Sequence, residues 1–160
     1  MRFSHRLRYD APASEVHAML ADESFREQVA EAGGAYERHV RIEPHGAGMT
    51  VVVDQKQHDH NIPSFAKKIV GDVIHVVQRE QWSDDTYATL DVTIPGKPGH
   101  LKGTIELAED GDGTVETVEA EIKVHVPLVA GKLEKLIANL LEAALENEQR
   151  VGEKWLRAKS

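Results

Sequence analysis

The feature that most constrains this chain is the change of hydrophobic period at Pro127. Before it, Val118, Ala120, Ile122, Val124 and Val126 alternate with Glu119, Glu121, Lys123 and His125. A period of two marks a strand with one buried face. After it, Val129, Leu133, Leu136, Ile137, Leu140, Leu141, Ala144, Leu145, Val151 and Trp155 recur largely at helical spacing. That predicts an amphipathic helix of roughly 30 residues, about 45 Å long at ~1.5 Å per residue. Proline keeps the residue before it extended and is tolerated at the first helical position, so the boundary is sharp. Burying a Leu or Ile contributes about 1.5–3 kcal/mol, whereas ordering one backbone residue costs about 1–2 kcal/mol. Such a helix stands only if a sheet covers its stripe, and Leu140→Asp near its middle is expected to break the fold.

The sheet is legible upstream. Phe3, His5, Leu7 and Tyr9 alternate with Arg2, Ser4, Arg6 and Arg8, and Asp10-Ala11-Pro12 stops the strand. Ala13 to Ala21 reads as a short helix with Ser14 as its cap and Val16, Met19 and Leu20 as its stripe. A second short helix starts at Asp22 or Ser24, carries Phe25, Val29 and Ala32, and ends at Gly33-Gly34. Strands follow over Tyr36–Glu43, Met49–Asp59, Val73–Trp82, Thr86–Ile94 and Leu101–Ala108. Turns at His45–Gly48, Asp84-Asp85, Pro95–Gly99 and Glu109–Gly113 separate most of them. Connections this short imply an antiparallel sheet. The stretch from His60 to Asp72 is too long for a hairpin, and Pro63, the pair Phe65 and Ile69, and Gly71 predict one or two helical turns that cap the structure. No linker or repeat interrupts residues 1–160, so the expectation is one α+β domain. It has a curved seven-stranded antiparallel sheet around a long C-terminal helix, with two short helices after the first strand.

Composition narrows the chemistry. The 160 residues contain no Cys, which excludes disulfides, thiolate metal sites and Cys nucleophiles. Nineteen Lys and Arg against 27 Asp and Glu give a charge of −8, opposed to binding nucleic acid. Apolar runs are too short to span a bilayer, and the N-terminus lacks the apolar stretch of a signal peptide. The expectation is a cytoplasmic protein without stable membrane insertion. Aromatic residues are only 5%, so Val, Ile, Leu and Ala must build the core. Whether such small side chains pack solid or leave a pocket is the question this composition raises.

The order of elements, together with particular stretches, resembles the START-like, polyketide-cyclase-like and birch-pollen-allergen-like superfamily (SRPBCC), which has the helix-grip fold. Those stretches are Met1–Tyr9 leading into Ala11-Pro12-Ala13-Ser14-Glu15-Val16, the connection from Ile62-Pro63 to Val70-Gly71-Asp72, Gln81-Trp82-Ser83, and Gly99-His100-Leu101-Lys102-Gly103-Thr104. More closely, the chain looks like an actinobacterial branch known only as a domain of unknown function. The resemblance implies an elongated hydrophobic cavity between sheet and helix. Members bind lipids, sterols, polyketides or plant hormones, and some catalyse cyclisation or dehydration. None of the stretches is a catalytic signature, and fold alone does not choose between these activities.

Strand parity nominates the lining. From the sheet come Tyr36, Val51, Val53, Ile74, Val76, Leu90, Val92, Leu101, Ile105, Ile122 and Val124; from the helix come Leu133, Leu136, Ile137 and Leu140. Phe65 and Ile69 are the candidate lid. Gln55 and Gln57 continue the parity of Val51 and Val53, and Gln78 and Glu80 that of Ile74 and Val76. A buried amide without a partner costs about 1–3 kcal/mol, so these residues are paired, meet solvent where strands leave the core, or orient a polar head group. The expected ligand is a hydrophobic or amphipathic small molecule, with no cofactor, no catalytic motif and a monomer or homodimer. A cyclase-type enzyme using His5, Tyr36, Gln55 or Glu80 as acid–base groups is the rival, and a co-chaperone-like interaction module is a third reading. His58-Asp59-His60, with His75 or His100, has metal-like spacing, but parity puts it on the outer face, and no metal site is expected. Lys67-Lys68 reads either as a solvated face or as a lid touching an anionic surface, which the acidic balance of the chain opposes.

Overall fold

The computed structural model describes residues 1–58 and 62–159. Strand β1 (Arg2–Tyr9) leads into helices α1 (Ala13–Leu20) and α2 (Glu23–Ala32). Strands β2 (Ala35–His45) and β3 (Gly48–His58) precede helix α3 (Ser64–Val70). Then come β4 (Val73–Trp82), β5 (Tyr87–Thr93), β6 (Gly99–Asp110), β7 (Gly113–Val124) and the long helix α4 (Ala130–Lys159). The seven strands form one sheet in the order β1-β7-β6-β5-β4-β3-β2, antiparallel at every pairing. The fold is the α+β helix-grip arrangement expected from the sequence, and α4 runs 30 residues.

Register aligns the inner face in rows. One row reads Ile42, Val51, Glu80, Leu90, Gly103, Ala120 and Phe3 across the sheet. The next reads Val40, Val53, Gln78, Val92, Leu101 and Ile122. A Cβ at Gly103 would lie 1.9 Å from the Glu119 carbonyl oxygen, so only glycine permits the close approach of β6 and β7 there.

The helices are pinned by specific groups. Asp22 caps α2 by accepting from the backbone N–H groups of Ser24 at 2.8 Å and Phe25 at 3.3 Å. The expected cap at Ser14 is not formed: α1 begins after Pro12, with no side-chain capping bond. Asn147 of α4 donates to the Val29 carbonyl at 3.0 Å and so closes the end of α2. At the other end of α4, Glu134 accepts from the Val124 N–H at 3.0 Å. Gly152 is buried in α4, and a Cβ there would meet Tyr9 Cε1 at 2.6 Å and the Met19 thioether beyond it. The turn before α4 is strained. The Val129 N–H donates to the Pro127 carbonyl at 2.9 Å, with Leu128 between them at φ 71°. A non-glycine residue in such a γ-turn costs about 1–3 kcal/mol.

The apolar interior divides in two. The larger cluster joins Leu7, Tyr9, Val16, Met19, Leu20, Phe25, Trp82, Val118 and Ile122, among others, under α1, α2 and the later turns of α4. The smaller joins Ile62, Ala66 and Leu133 with Phe65, Ile69, Val70, Ile74, Val124, Val126, Val129 and Leu136. Globular domains more often build one contiguous core with minor satellites.

Candidate functional site

The sequence-nominated residues divide between the two clusters, which adjoin at a seam. Val51, Val53, Leu90, Val92, Leu101, Ile105, Ile122 and Ile137 belong to the larger cluster. Ile74, Val124, Leu133 and Leu136, with Phe65 and Ile69 of α3, belong to the smaller. Val76 points inward by register, opposite Gln55, yet among the described residues it is grouped with neither cluster. Around it stand amides. Gln57 donates to Gln55 Oε1 at 3.2 Å, and Gln78 donates to Glu80 Oε2 at 2.5 Å. Gln55, Gln57, Gln78 and Val76 are all half-buried. Three amide groups thus lie on the inner face of β3 and β4 beside Val76, a rail of polar groups on a largely apolar face.

Two nominations are corrected. Tyr36 is 49% exposed and stacks on His58 at 4.4 Å, with 21° between the rings. A register shift in β2 between Ala35 and Glu37 is the cause: Ala35 takes the inner position opposite Gln57, and Tyr36 becomes the extra residue. Leu140 is 41% exposed and joins neither cluster, because the helix buries the adjacent stripe through Ile137, Ala138 and Leu141. Asp59 and His60, named for metal-like spacing, lie outside the described residues. His75, the further candidate ligand, is tied to Asp54 at 2.7 Å on the outer face. Among the described residues no group of three or more His, Asp or Glu could hold a metal ion.

Beneath the amide rail lies a charged network that parity only partly exposed. Glu80 is 1% exposed and forms a two-pronged ion pair with Arg26 of α2, at 2.7 and 2.8 Å. Trp82 Nε1 donates to Glu80 Oε1 at 2.8 Å, and Arg26 Nε donates to the Leu20 carbonyl at 2.8 Å. Burial pushes the Glu80 carboxyl up, but the guanidinium and the bonds from Arg26, Trp82 and Gln78 outweigh it and hold the group below its ordinary value.

Farther toward α1 and α4, Glu116, Glu148 and Tyr9 face one another in the interior. Tyr9 Oη, one oxygen of Glu116 and one of Glu148 are buried without a hydrogen-bond partner. Burial raises Glu116 well above its ordinary value, reinforced by the charges of Glu148 and Glu80. Glu148 rises to about 7, again chiefly through burial, with Arg26 opposing the rise. Tyr9 is raised as well, by burial and then by Glu148 and Glu116. The sequence carried a signal for this cluster. Glu116 extends the inward parity of Val118 and Ala120, and Glu148 interrupts the stripe between Leu145 and Val151. The perturbed carboxyls are sealed beneath α1, α2 and α4, away from the seam. The acid–base candidates do not converge either: Tyr36 is outside, Glu80 is locked by Arg26, and His5 lies on β1, across the sheet.

Two open depressions of about 330 Å³ each lie elsewhere. One is on the outer face of β1, β7 and β6, among Arg2, Lys102, Thr104, Glu119 and Glu121. The other lies between α2 and α4, among Gln28, Glu31, Val151 and Lys154. Charged rims of this kind do not suit a hydrophobic ligand. No helix among the described residues is long and apolar enough to cross a membrane.

Comparison with known proteins agrees with this fold. Residues 4–156 match the family described as "Protein of unknown function (DUF2505)". An uncharacterized protein of Mycobacterium tuberculosis, Rv0481c, is 29% identical over 112 residues. That stretch is 66% of this chain but only 64% of the relative, less than two thirds of its length. The di-domain aromatase/cyclase BexL of the BE-7585A biosynthetic pathway superposes with a TM-score of 0.67 at 16% identity, over 96% of this chain and 49% of that one. Norcoclaurine synthase from Thalictrum flavum, solved with dopamine and hydroxybenzaldehyde, gives 0.66 at 16%, over 100% and 88%. A START superfamily protein from Mycobacterium smegmatis gives 0.60 at 12%, over 99% of each chain. At these identities the likeness is one of fold alone: the START-like and polyketide-cyclase-like fold.

Proposed function

The chain belongs to the DUF2505 family of proteins of unknown function, and from that premise we propose that it binds and carries a hydrophobic or amphipathic small molecule in the seam between sheet and α4. One observation carries the reading: Val76 faces inward, half-buried, and among the described residues joins neither core cluster, beside the amides of Gln55, Gln57 and Gln78. An apolar inward residue left half-covered forfeits stabilisation that a bound hydrocarbon would recover. Amides beside it can orient one polar end of a ligand whose remainder is apolar. Leu136 and Ile137 of α4, with Phe65 and Ile69 of α3 as a lid, would close around it. The ligands named for the norcoclaurine synthase structure are small aromatic compounds, which supports a bound molecule of modest size in this fold.

The test is direct. Protein purified without lipid stripping is extracted and analysed by mass spectrometry, and stripped protein is titrated with the fluorescent fatty acid cis-parinaric acid. The reading expects a stoichiometric co-purified molecule or saturable capture of the probe, with capture lost in Val76→Trp, which fills the seam. Protein that carries nothing and leaves the probe dark overturns it.

A further inference from the structure

The charge of this chain is not evenly spread. Segments 62–74, 95–99 and 123–136 contain six lysines (Lys67, Lys68, Lys97, Lys123, Lys132, Lys135) against Asp72 and Glu134. Their balance is +4 in a chain of −8, so the rest carries −12. These segments meet at one end of the molecule. α3, the start of β4, the end of β7 and the first turns of α4 share the smaller core cluster. The Pro95–Gly99 turn joins them where the His125 N–H donates to the Pro98 carbonyl at 2.8 Å.

The acids at this end are partly spent. Glu134 accepts from the Val124 N–H and lies 3.6 Å from the N-terminal amine, and Glu121, just before the third segment, lies 3.8 Å from Lys123 and so offsets that lysine. Lys132 stands 5.8 Å from the centre of the Phe65 ring. Lys68, Lys97, Lys132 and Lys135 are exposed and make no ion pair with any described residue. Amid them projects Leu128, 103% exposed, on a strained left-handed turn that glycine would adopt more cheaply. Val73, 39% exposed, opens β4 beside the same cluster.

We propose that this end of the protein docks reversibly on anionic lipid membranes, with Leu128 entering the interfacial region and the surrounding lysines on the headgroup phosphates. Each lysine near an anionic surface adds attraction that salt screens, and one apolar side chain adds a shallow anchor. The surface is built for contact rather than spanning. Its place over α3 sets the lid, Phe65 and Ile69, against the bilayer, where an apolar ligand could pass without crossing water. This rests on the small-molecule reading above, but the two are separable by experiment.

Flotation with vesicles decides it. One set is phosphatidylcholine alone, and the other is phosphatidylcholine with a third phosphatidylglycerol. The wild-type protein is expected to float with the anionic vesicles at low salt, not with the neutral ones, and to be released as salt rises. Lys132→Glu combined with Lys135→Glu, and separately Leu128→Asp, should each weaken association about tenfold or more. Leu128→Gly should melt at a higher temperature yet bind vesicles less, which a purely structural role for this turn would not give. Lys154→Glu, between α2 and α4, should bind as wild type. Equal binding to neutral vesicles, or lysine variants that float unchanged, overturns the proposal. So does a dimer by light scattering that Leu128→Asp dissociates, which assigns the patch to a second copy of the chain. Capture of cis-parinaric acid in solution should survive in all these variants. Lost docking with intact capture therefore reports on this surface, and lost capture with intact docking reports on the seam.

Discussion

Arg26 on α2 and Glu80 on β4 hold each other through two bonds of 2.7 and 2.8 Å in the interior, 54 residues apart in sequence. The pair fastens the helical layer to the centre of the sheet. Burying two charges is expensive, and the pair repays it only because Trp82, Gln78 and the Leu20 carbonyl satisfy the remaining lone pairs and protons. Arg26→Met strands an unpaired carboxylate and should cost about 3–5 kcal/mol in urea denaturation. The double replacement Arg26→Met with Glu80→Leu should recover most of that loss. A double variant no more stable than Arg26→Met alone would show that the loss does not come from a stranded charge.

The buried carboxyls should give stability a pH optimum on the acid side of neutrality. Glu148 titrates near 7 in the folded protein against 4.5 ordinarily, and Glu116 is also raised. Between the ordinary and the raised value, the unfolded chain ionises while the folded one stays protonated, so stability falls as pH rises. For Glu148 alone the loss from pH 4.5 to about 7 is on the order of 3 kcal/mol. Glu80 has the opposite sign: its carboxyl is held low, so its contribution is lost as pH falls below the ordinary carboxylate range. Tyr9, Arg26, Glu80 and Glu116 all act electrostatically on Glu148 or its partner, so the steps are shared by the network. Denaturation midpoints across pH should peak near pH 5, and Glu148→Gln should flatten the decline toward pH 8. A decline as steep in the variant would remove this explanation.

Gly152→Ala tests how tightly α4 is seated. Alanine is the better helix former by about 1 kcal/mol. Here its Cβ would press to 2.6 Å of the fully buried Tyr9 ring, which has no room to retreat. Overpacking of this kind costs about 1–3 kcal/mol, so the net change should be destabilising. Gly152→Ala with Tyr9→Leu should restore part of the loss, and thermal melts of the three variants measure it.

The sheet and α4 were legible because each has one dry and one wet face, and alternation at 118–126 and helical spacing after Pro127 record that contrast directly. Strand parity misplaces Tyr36 because one inserted residue between Ala35 and Glu37 reverses it, and nothing in the local sequence marks a bulge that lacks glycine. Glu80 was legible as an inward polar residue, but its partner was not: Arg26 follows Phe25 on a short helix, and pattern alone does not say that it turns inward. Glu116 and Glu148 meet through tertiary packing of β7 with α4, a contact that no spacing along the chain encodes. The division of the core was likewise invisible, since both clusters draw on the same alternating strands.

Leu133 and Leu140, seven residues and so about two turns apart on nearly the same side of α4, should respond very differently to the same change. Leu133 is buried between α3 and the end of β7, whereas Leu140 is exposed and packs with neither cluster. Leu133→Asp places a charge in the smaller cluster and should cost roughly 3 kcal/mol or more. Leu140→Asp should leave stability within about 1 kcal/mol of wild type, since surface changes away from packed contacts have small effects. Paired chemical denaturation curves check both. A Leu140→Asp protein that fails to fold would mean that Leu140 is covered in solution, by a bound ligand or by closure of α4 onto the seam beside Val76.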